Sequence, residues 1–99
     1  MKFFSKIKGS TFGNGQELFK YLKKDDYLFW HHESTNVYDK NAIMILTLDE
    51  RKLGYLPRDT AVTIVNKKNE GKDITIKVSE ITGKDKGNLG CNLEINISD

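Results

Sequence analysis

The segment Asn36-Val37-Tyr38-Asp39-Lys40-Asn41-Ala42-Ile43 lies where a turn-rich stretch passes into the most apolar run of the chain. Residues 41–48 are almost continuously apolar, which predicts a strand that is buried on both faces near its centre. A turn over residues 49–51 and a second strand over residues 52–56 complete a predicted hairpin. Tyr38 is unusual in the turn-rich part, because a plain turn does not need an aromatic side chain.

Apolar patterns on both sides of this hairpin predict four further strands and two helices. The strands cover residues 3–8, 27–32, 74–78 and 93–97. The first helix carries Leu18, Phe19 and Leu22 after an Asn14 N-cap, and the second runs from residues 57–60 to residues 69–71. The prediction is a mostly β protein with two short α-helices. Its roughly six strands favour a small barrel or a strongly curved sheet.

The chain is short and nearly neutral. It has 99 residues, of which 37% are hydrophobic, and its 16 basic and 14 acidic side chains give a formal net charge of +2. This length fits a single domain over residues 1–99, and so small a charge does not by itself predict nucleic-acid binding. No apolar run approaches the roughly 18 residues of a membrane helix, and residues 1–6 lack the long apolar part of a signal peptide. We therefore expect a cytoplasmic protein without a membrane partner.

Cys91 is the only cysteine, which excludes an intramolecular disulfide and a cysteine-based zinc site. It stands in an alternating apolar stretch, so it is predicted to be a small core residue rather than a nucleophile. The sequence suggests no Ser-His-Asp or Cys-His arrangement and contains no Gly-Lys-Ser/Thr phosphate loop. We therefore predict a protein that is not an enzyme and that needs no cofactor and no metal.

Three sequence elements together resemble the HIRAN domain family. They are Ile7-Lys8-Gly9, the segment from Asn36 to Ile43, and Lys52-Leu53-Gly54-Tyr55-Leu56-Pro57-Arg58. The resemblance extends from about Lys6 to Ile97 and is most specific in the middle segment. It implies a small OB-like β-barrel of about six strands that binds single-stranded DNA at a free 3′ end, in processes of the DNA repair or replication type.

The resemblance also implies roles for individual residues. Phe12 and Tyr38 would stack the terminal bases, and the carboxylate of Asp39 would contact the 3′ hydroxyl. Asn36 would belong to the pocket wall, and Arg58 would contact a phosphate. Tyr55 stands where a family member has a histidine, and Thr11 stands where that member has a phosphate-contacting arginine. Because Thr11 is uncharged, the implied site has one cation fewer than in that member.

The same residues suit this task on chemical grounds. Aromatic faces stack bases of any identity, each for about 1–3 kcal/mol, and the Arg58 guanidinium offers a bidentate phosphate contact. Asp39 is the informative residue, because a carboxylate accepts a hydrogen bond from a terminal hydroxyl and repels a terminal phosphate. The combination predicts a protein that recognises a strand end rather than one that follows a strand.

Each of these residues also has a structural interpretation. Asp39 and Asn41 are typical turn residues that bond local backbone amides, Phe12 could fold back onto the core, and Tyr55 could be a core residue at the barrel end. Two other functions stay open. One is a protein-interaction adaptor that recruits a DNA-processing enzyme. The other is a small metal-dependent nuclease. The adjacent His31 and His32 point to opposite faces of a strand and cannot easily share an ion, whereas His31 and Glu33 lie on one face and could form a weak divalent site with Asp39.

Overall fold

Six strands and two helices make up the part of the chain that the computed structural model describes, which is residues 1–8, 15–85 and 87–99. The elements are β1 (Lys2–Lys6), α1 (Gly15–Phe19), β2 (Tyr27–His32), β3 (Ile43–Leu46), β4 (Lys52–Tyr55), α2 (Arg58–Asn69), β5 (Ile74–Thr82) and β6 (Gly90–Ile97). The predicted mostly β fold with two helices is therefore confirmed. The Asn14 cap that was predicted for the first helix lies outside the described residues.

The strands form one antiparallel sheet in the order β1-β6-β5-β2-β3-β4. The sheet curls into an OB-like half-barrel until its two edge strands meet just beyond β1. There Lys8 N donates to Tyr55 O at 2.7 Å, and Tyr55 N donates to Lys8 O at 2.8 Å. This single bridge joins the end of β4 to the chain that leaves β1.

Gly54 allows the two edges to approach so closely. Its φ is +155°, and a Cβ at this position would lie 2.5 Å from both the carbonyl oxygen of Lys8 and the Cγ2 of Ile7. The ladder between β3 and β4 also shifts register here, because Ile45 pairs with Gly54 whereas Leu46 pairs with Lys52. The extra residue in β4 is a β-bulge, a device that bends a strand and re-aims its side chains.

Alternate residues of the strands point into one core, which α1 and α2 help to fill. Its fully buried members include Phe19, Ile43, Ile45, Ile64, Ile76, Val78, Leu93 and Ile95. Cys91 is also buried, and burial raises the pKa of its thiol to about 12. Its predicted place in the core is confirmed.

Five of the six predicted strands have different bounds in the structure, and only β2 matches its predicted range. The strand predicted over residues 41–48 is β3, which is only four residues long, and its Met44 and Leu46 are half-buried on the outer face of the sheet. The prediction of burial on both faces was wrong because a curled sheet covers only its inner face. By contrast, β5 and β6 are longer than predicted, because a register shift between Val78 and Glu80 lets their pairing continue to Thr82.

The second helix begins immediately after β4, and this places its first residue beside the end of the sheet. Pro57 occupies the N-cap position, and α2 ends where the backbone N–H of Glu70 bonds to carbonyl oxygens of the last turn. Neither helix of the described residues is long and apolar enough to cross a membrane.

Candidate functional site

The loop between β2 and β3 is held together by the side chain of Asn36. Its Oδ1 accepts hydrogen bonds from the backbone N–H of Tyr38 at 2.8 Å and of Asp39 at 3.1 Å. Its Nδ2 donates to the Oε1 of Glu33 at 3.0 Å. Asn36 therefore positions the two residues that follow it, and its assignment to the wall of a DNA pocket stays a prediction.

Tyr38 projects from this loop into solvent. Its exposed fraction is 88%, and Val37 beside it is equally exposed. Burial of a tyrosine ring is a large favourable term in folding, so a ring left in water contributes little to stability. An exposed aromatic on a loop with a fixed backbone is available to stack on a planar ligand.

Asp39 has both a structural contact and an electrostatic one. Its Oδ1 accepts a hydrogen bond from the backbone N–H of Asn41 at 2.9 Å, so the predicted turn role is real. Its Oδ2 lies 3.6 Å from the Nε of Arg58. An ionised carboxylate has about four acceptor positions, and these two contacts leave capacity for a further donor.

Arg58 is the first residue of α2 and reaches back to the loop. Its Nη2 donates to the carbonyl oxygen of Tyr38 at 3.3 Å, in addition to the contact with Asp39. The side chain remains 76% exposed, and a guanidinium has five N–H donors. The donors that the loop does not use point toward solvent, where an anion can reach them.

Tyr55 lies at the same end of the sheet, on its outer face. It is half-buried and pairs with Met44 across the β3–β4 ladder, and the Nζ of Lys52 lies 4.7 Å from the centre of its ring. It does not belong to the buried core cluster, so it is not a core residue at the barrel end. We call Tyr38, Asp39, Tyr55 and Arg58 the end site.

Two predicted site residues, Thr11 and Phe12, lie outside the described residues. The residues of the alternative metal site, His31, Glu33 and Asp39, all lie in the described part of the chain. The Oε1 of Glu33 accepts a hydrogen bond from the Nδ2 of Asn36. His32 lies on the opposite face of β2 from His31, and its Nε2 lies 2.7 Å from the carbonyl oxygen of Lys40. Within residues 1–8, 15–85 and 87–99, no group of three or more His, Cys, Asp or Glu side chains is placed to hold a metal ion.

Sequence reasoning missed two features, one beside the end site and one farther along the outer face of the sheet. Lys8 lies beside Tyr55 only because the sheet closes there, and no local pattern signals that pairing. Tyr27 and Phe29 are exposed on the outer face of β2. For them a signal existed, because strand alternation places them opposite the inward-facing Leu28 and Trp30.

The fold and this site define a small OB-like β domain with an exposed tyrosine, a carboxylate and a guanidinium held together at one end of its sheet. The chain belongs to the HIRAN domain family, whose model matches residues 1–98. Membership of this family supports a general role in DNA binding.

Two solved structures share the fold. A protein from Lactobacillus plantarum is 23% identical, with a TM-score of 0.76, and the match covers 97% of this chain and 92% of that chain. The HIRAN domain of human HLTF is 16% identical, with a TM-score of 0.76, and the match covers 97% of this chain and 74% of that chain. No curated protein matches the chain significantly.

Proposed function

We propose that the domain is a DNA-binding module that holds single-stranded DNA by a free 3′-hydroxyl end and carries out no catalysis itself. Its biological setting would be processes of the DNA repair or replication type, in which such ends occur. The observation that carries this proposal is the position of the Asp39 carboxylate, 3.6 Å from the Arg58 guanidinium and next to the exposed Tyr38 in sequence.

Each residue of the end site has one task in this proposal. The rings of Tyr38 and Tyr55 stack on the terminal bases, which supplies affinity without base identity. Arg58 binds a backbone phosphate through the donors that the loop leaves open. Asp39 accepts a hydrogen bond from the terminal hydroxyl, and its second contact, with the N–H of Asn41, keeps it in place.

The carboxylate makes the site selective for the chemistry of the end. A terminal phosphate would bring a second negative charge against Asp39. At about 4 Å, two like charges repel by about 1 kcal/mol in water and by about 4 kcal/mol near a protein surface. We therefore expect a preference of at least about fivefold for a hydroxyl end.

Fluorescence anisotropy with one single-stranded oligonucleotide in two forms, ending in a 3′ hydroxyl or a 3′ phosphate, tests this function. A matched pair that differs only at the 5′ end is the control, and it should bind equally. Equal binding of the two 3′ forms would contradict end recognition. Absence of binding at low salt would contradict the DNA role and favour the adaptor alternative, which predicts a pull-down that resists nuclease and oligonucleotide competition.

A further inference from the structure

An apolar strip lies on the outer face of the sheet, away from the core. It consists of Tyr27 and Phe29 on β2, Met44 and Leu46 on β3, and Tyr55 on β4, and we call it the outer strip. Tyr27 is 56% exposed and Phe29 is 51% exposed, while the other three side chains are half-buried. Contiguous apolar surface of this kind on a soluble domain marks an interaction site.

Strand register makes the outer strip continuous. Phe29 pairs with Leu46, and Leu46 pairs in turn with Lys52. One row further along the strands, Met44 pairs with Tyr55 on one side and with the exposed His31 on the other. Directly paired residues of antiparallel strands point to the same face, with Cβ atoms about 4.5–5.5 Å apart. The side chains therefore form neighbouring rows and not isolated exposed residues.

The outer strip is continuous with the end site because Tyr55 belongs to both. Tyr55 is the last residue of β4, and its partner Met44 is the second residue of β3. The loop that carries Tyr38 and Asp39 leads directly into β3 at this end of the sheet. A ligand whose terminus occupies the end site meets the outer strip as the next surface.

We infer that the outer strip is the path of the bound single strand beyond its terminal residues, with Phe29 and then Tyr27 stacking on successive bases. This inference rests on the proposed function. Phe29 and Tyr27 are two residues apart on one strand, so their rings repeat at about 6.6–6.8 Å along the same face. Stacking on such rings tolerates any base, so the strip would extend the footprint without adding sequence preference.

The charges around the outer strip favour a polyanion as its occupant. Lys52 and Lys8 flank Tyr55, and among the residues that the structure describes neither lysine forms an ion pair. Cations without acidic partners are available to the phosphates of a nucleic-acid backbone. The edge of the strip near the end site is therefore the basic one.

The charge pattern changes at the far end of the outer strip. Lys77, which pairs with Tyr27, has its Nζ 3.2 Å from Asp25 and 3.5 Å from Glu94. A hydrogen bond from Asn96 lowers the pKa of Glu94, and this keeps that carboxylate ionised. Because Lys77 is paired with these carboxylates, the surface beyond Tyr27 does not favour a polyanion.

The dependence of affinity on strand length tests this inference. Fluorescence anisotropy would use 5′-labelled oligothymidylates with 3′ hydroxyl ends, from about two to about eight nucleotides long. For the unaltered protein, affinity should rise with length until the outer strip is covered. Phe29→Ala should lower affinity for the longest oligonucleotides about tenfold and leave the shortest unchanged. Phe29→Tyr, which keeps an aromatic face, should retain the length dependence.

Phe4→Ala is the matched control. Phe4 is 62% exposed on the outer face of β1, where β6 and β5 separate it from Tyr27 and Phe29. On the side where the sheet closes, it lies four residues before Lys8, which pairs with Tyr55. Its replacement should leave affinity unchanged at every length. Binding that prefers a hydroxyl end but does not depend on length overturns this inference and leaves the proposed function standing, whereas absence of all binding overturns both. An equal loss at every length in Phe29→Ala, or self-association that Phe29→Ala abolishes, also overturns the inference.

Discussion

Arg58 is anchored to the β2–β3 loop by two contacts, one to Asp39 and one to the residue before it. Its Nε lies 3.6 Å from the Oδ2 of Asp39, and its Nη2 donates to the carbonyl oxygen of Tyr38 at 3.3 Å. Exposed ion pairs contribute only about 0.2–1 kcal/mol to stability, and the Arg58 side chain is largely in solvent. The main consequence of this arrangement is therefore for ligand binding, because it fixes a cation and an anion beside an exposed ring.

Replacement of Asp39 by asparagine separates its charge from its turn role. Asp39→Asn keeps an oxygen that can accept the hydrogen bond from Asn41 N but removes the negative charge, so stability should change little. The preference for a hydroxyl end over a phosphate end should shrink toward equality. Asp39→Ala loses the acceptor as well, and its unfolding free energy should fall by about 1 kcal/mol. Anisotropy and urea unfolding measure the two effects, and a full end preference in Asp39→Asn would show that the charge is not responsible.

Loss of the Arg58 guanidinium should appear in the salt dependence of binding. If Arg58 neutralises one phosphate of a single strand, Arg58→Ala should reduce the slope of log K against log salt by about 0.7. Arg51→Ala is the matched control, because Arg51 pairs with Asp49 at the opposite end of the β3–β4 hairpin. Titrations at several salt concentrations give both slopes. Equal slopes for the two variants would exclude the phosphate contact.

Local patterns were sufficient to predict the elements of this fold but not the way they close. The hairpin around residues 49–51 and the helix after Pro57 depend on neighbouring residues, so the sequence predicted them correctly. The bridge between Lys8 and Tyr55 joins residues far apart in the chain. Its existence depends on how strongly the sheet curls, which is a property of the packed core and not of any short segment.

The candidate site also has one part that depends on local sequence and one part that depends on the assembled sheet. The turn contact of Asp39 depends on neighbouring residues of the loop, and it was one of two interpretations that the sequence left open. The approach of Arg58 to Asp39 depends on where α2 begins relative to the start of β3, which only the assembled sheet determines. The sequence proposed Tyr38, Asp39, Tyr55 and Arg58 as candidates, and the structure supplied the contacts between the loop and Arg58; their role in binding stays a prediction.

Gly54 should not tolerate a side chain, because it lies where the two edges of the sheet meet. Gly54→Ala would place a Cβ 2.5 Å from the carbonyl oxygen of Lys8, at a backbone φ of +155°. We expect the free energy of unfolding to fall by about 2–4 kcal/mol, from overpacking and backbone strain together. Gly71→Ala is the control, since its φ is +81° but nothing lies within 4 Å, and it should cost only about 1–2 kcal/mol. Urea denaturation measures the unfolding free energy of both variants. Equal losses of stability would show that the close approach to Lys8 is unimportant.

Asn36 should control the order of the loop that carries the end site. Asn36→Ala removes the acceptor of two backbone hydrogen bonds, those from Tyr38 and Asp39. The expected cost is about 1–2 kcal/mol of stability, with weaker DNA binding because both residues lose their fixed positions. Asn36→Asp alone would set a carboxylate against Glu33, to which Nδ2 donates. The control is therefore Asn36→Asp combined with Glu33→Gln, which keeps the acceptor and should preserve the loop backbone. Hydrogen exchange at the amides of Tyr38 and Asp39 reports this directly, and unchanged protection in Asn36→Ala would contradict the role.

Cys91 should make the protein less stable in alkali. Burial raises the pKa of its thiol from 9.0 to about 12 in the folded state, so the unfolded chain ionises first as the pH rises. The stability that the buried, protonated thiol contributes is fully present below pH 9 and is lost between pH 9 and about 12. Over this range the free energy of unfolding falls by at most about 1.4 kcal/mol per pH unit. Cys91→Ala lacks this contribution while its lysines and tyrosines titrate as before. Urea unfolding of both proteins across this range should therefore show their stability difference narrowing as pH rises, and parallel curves would contradict the raised pKa.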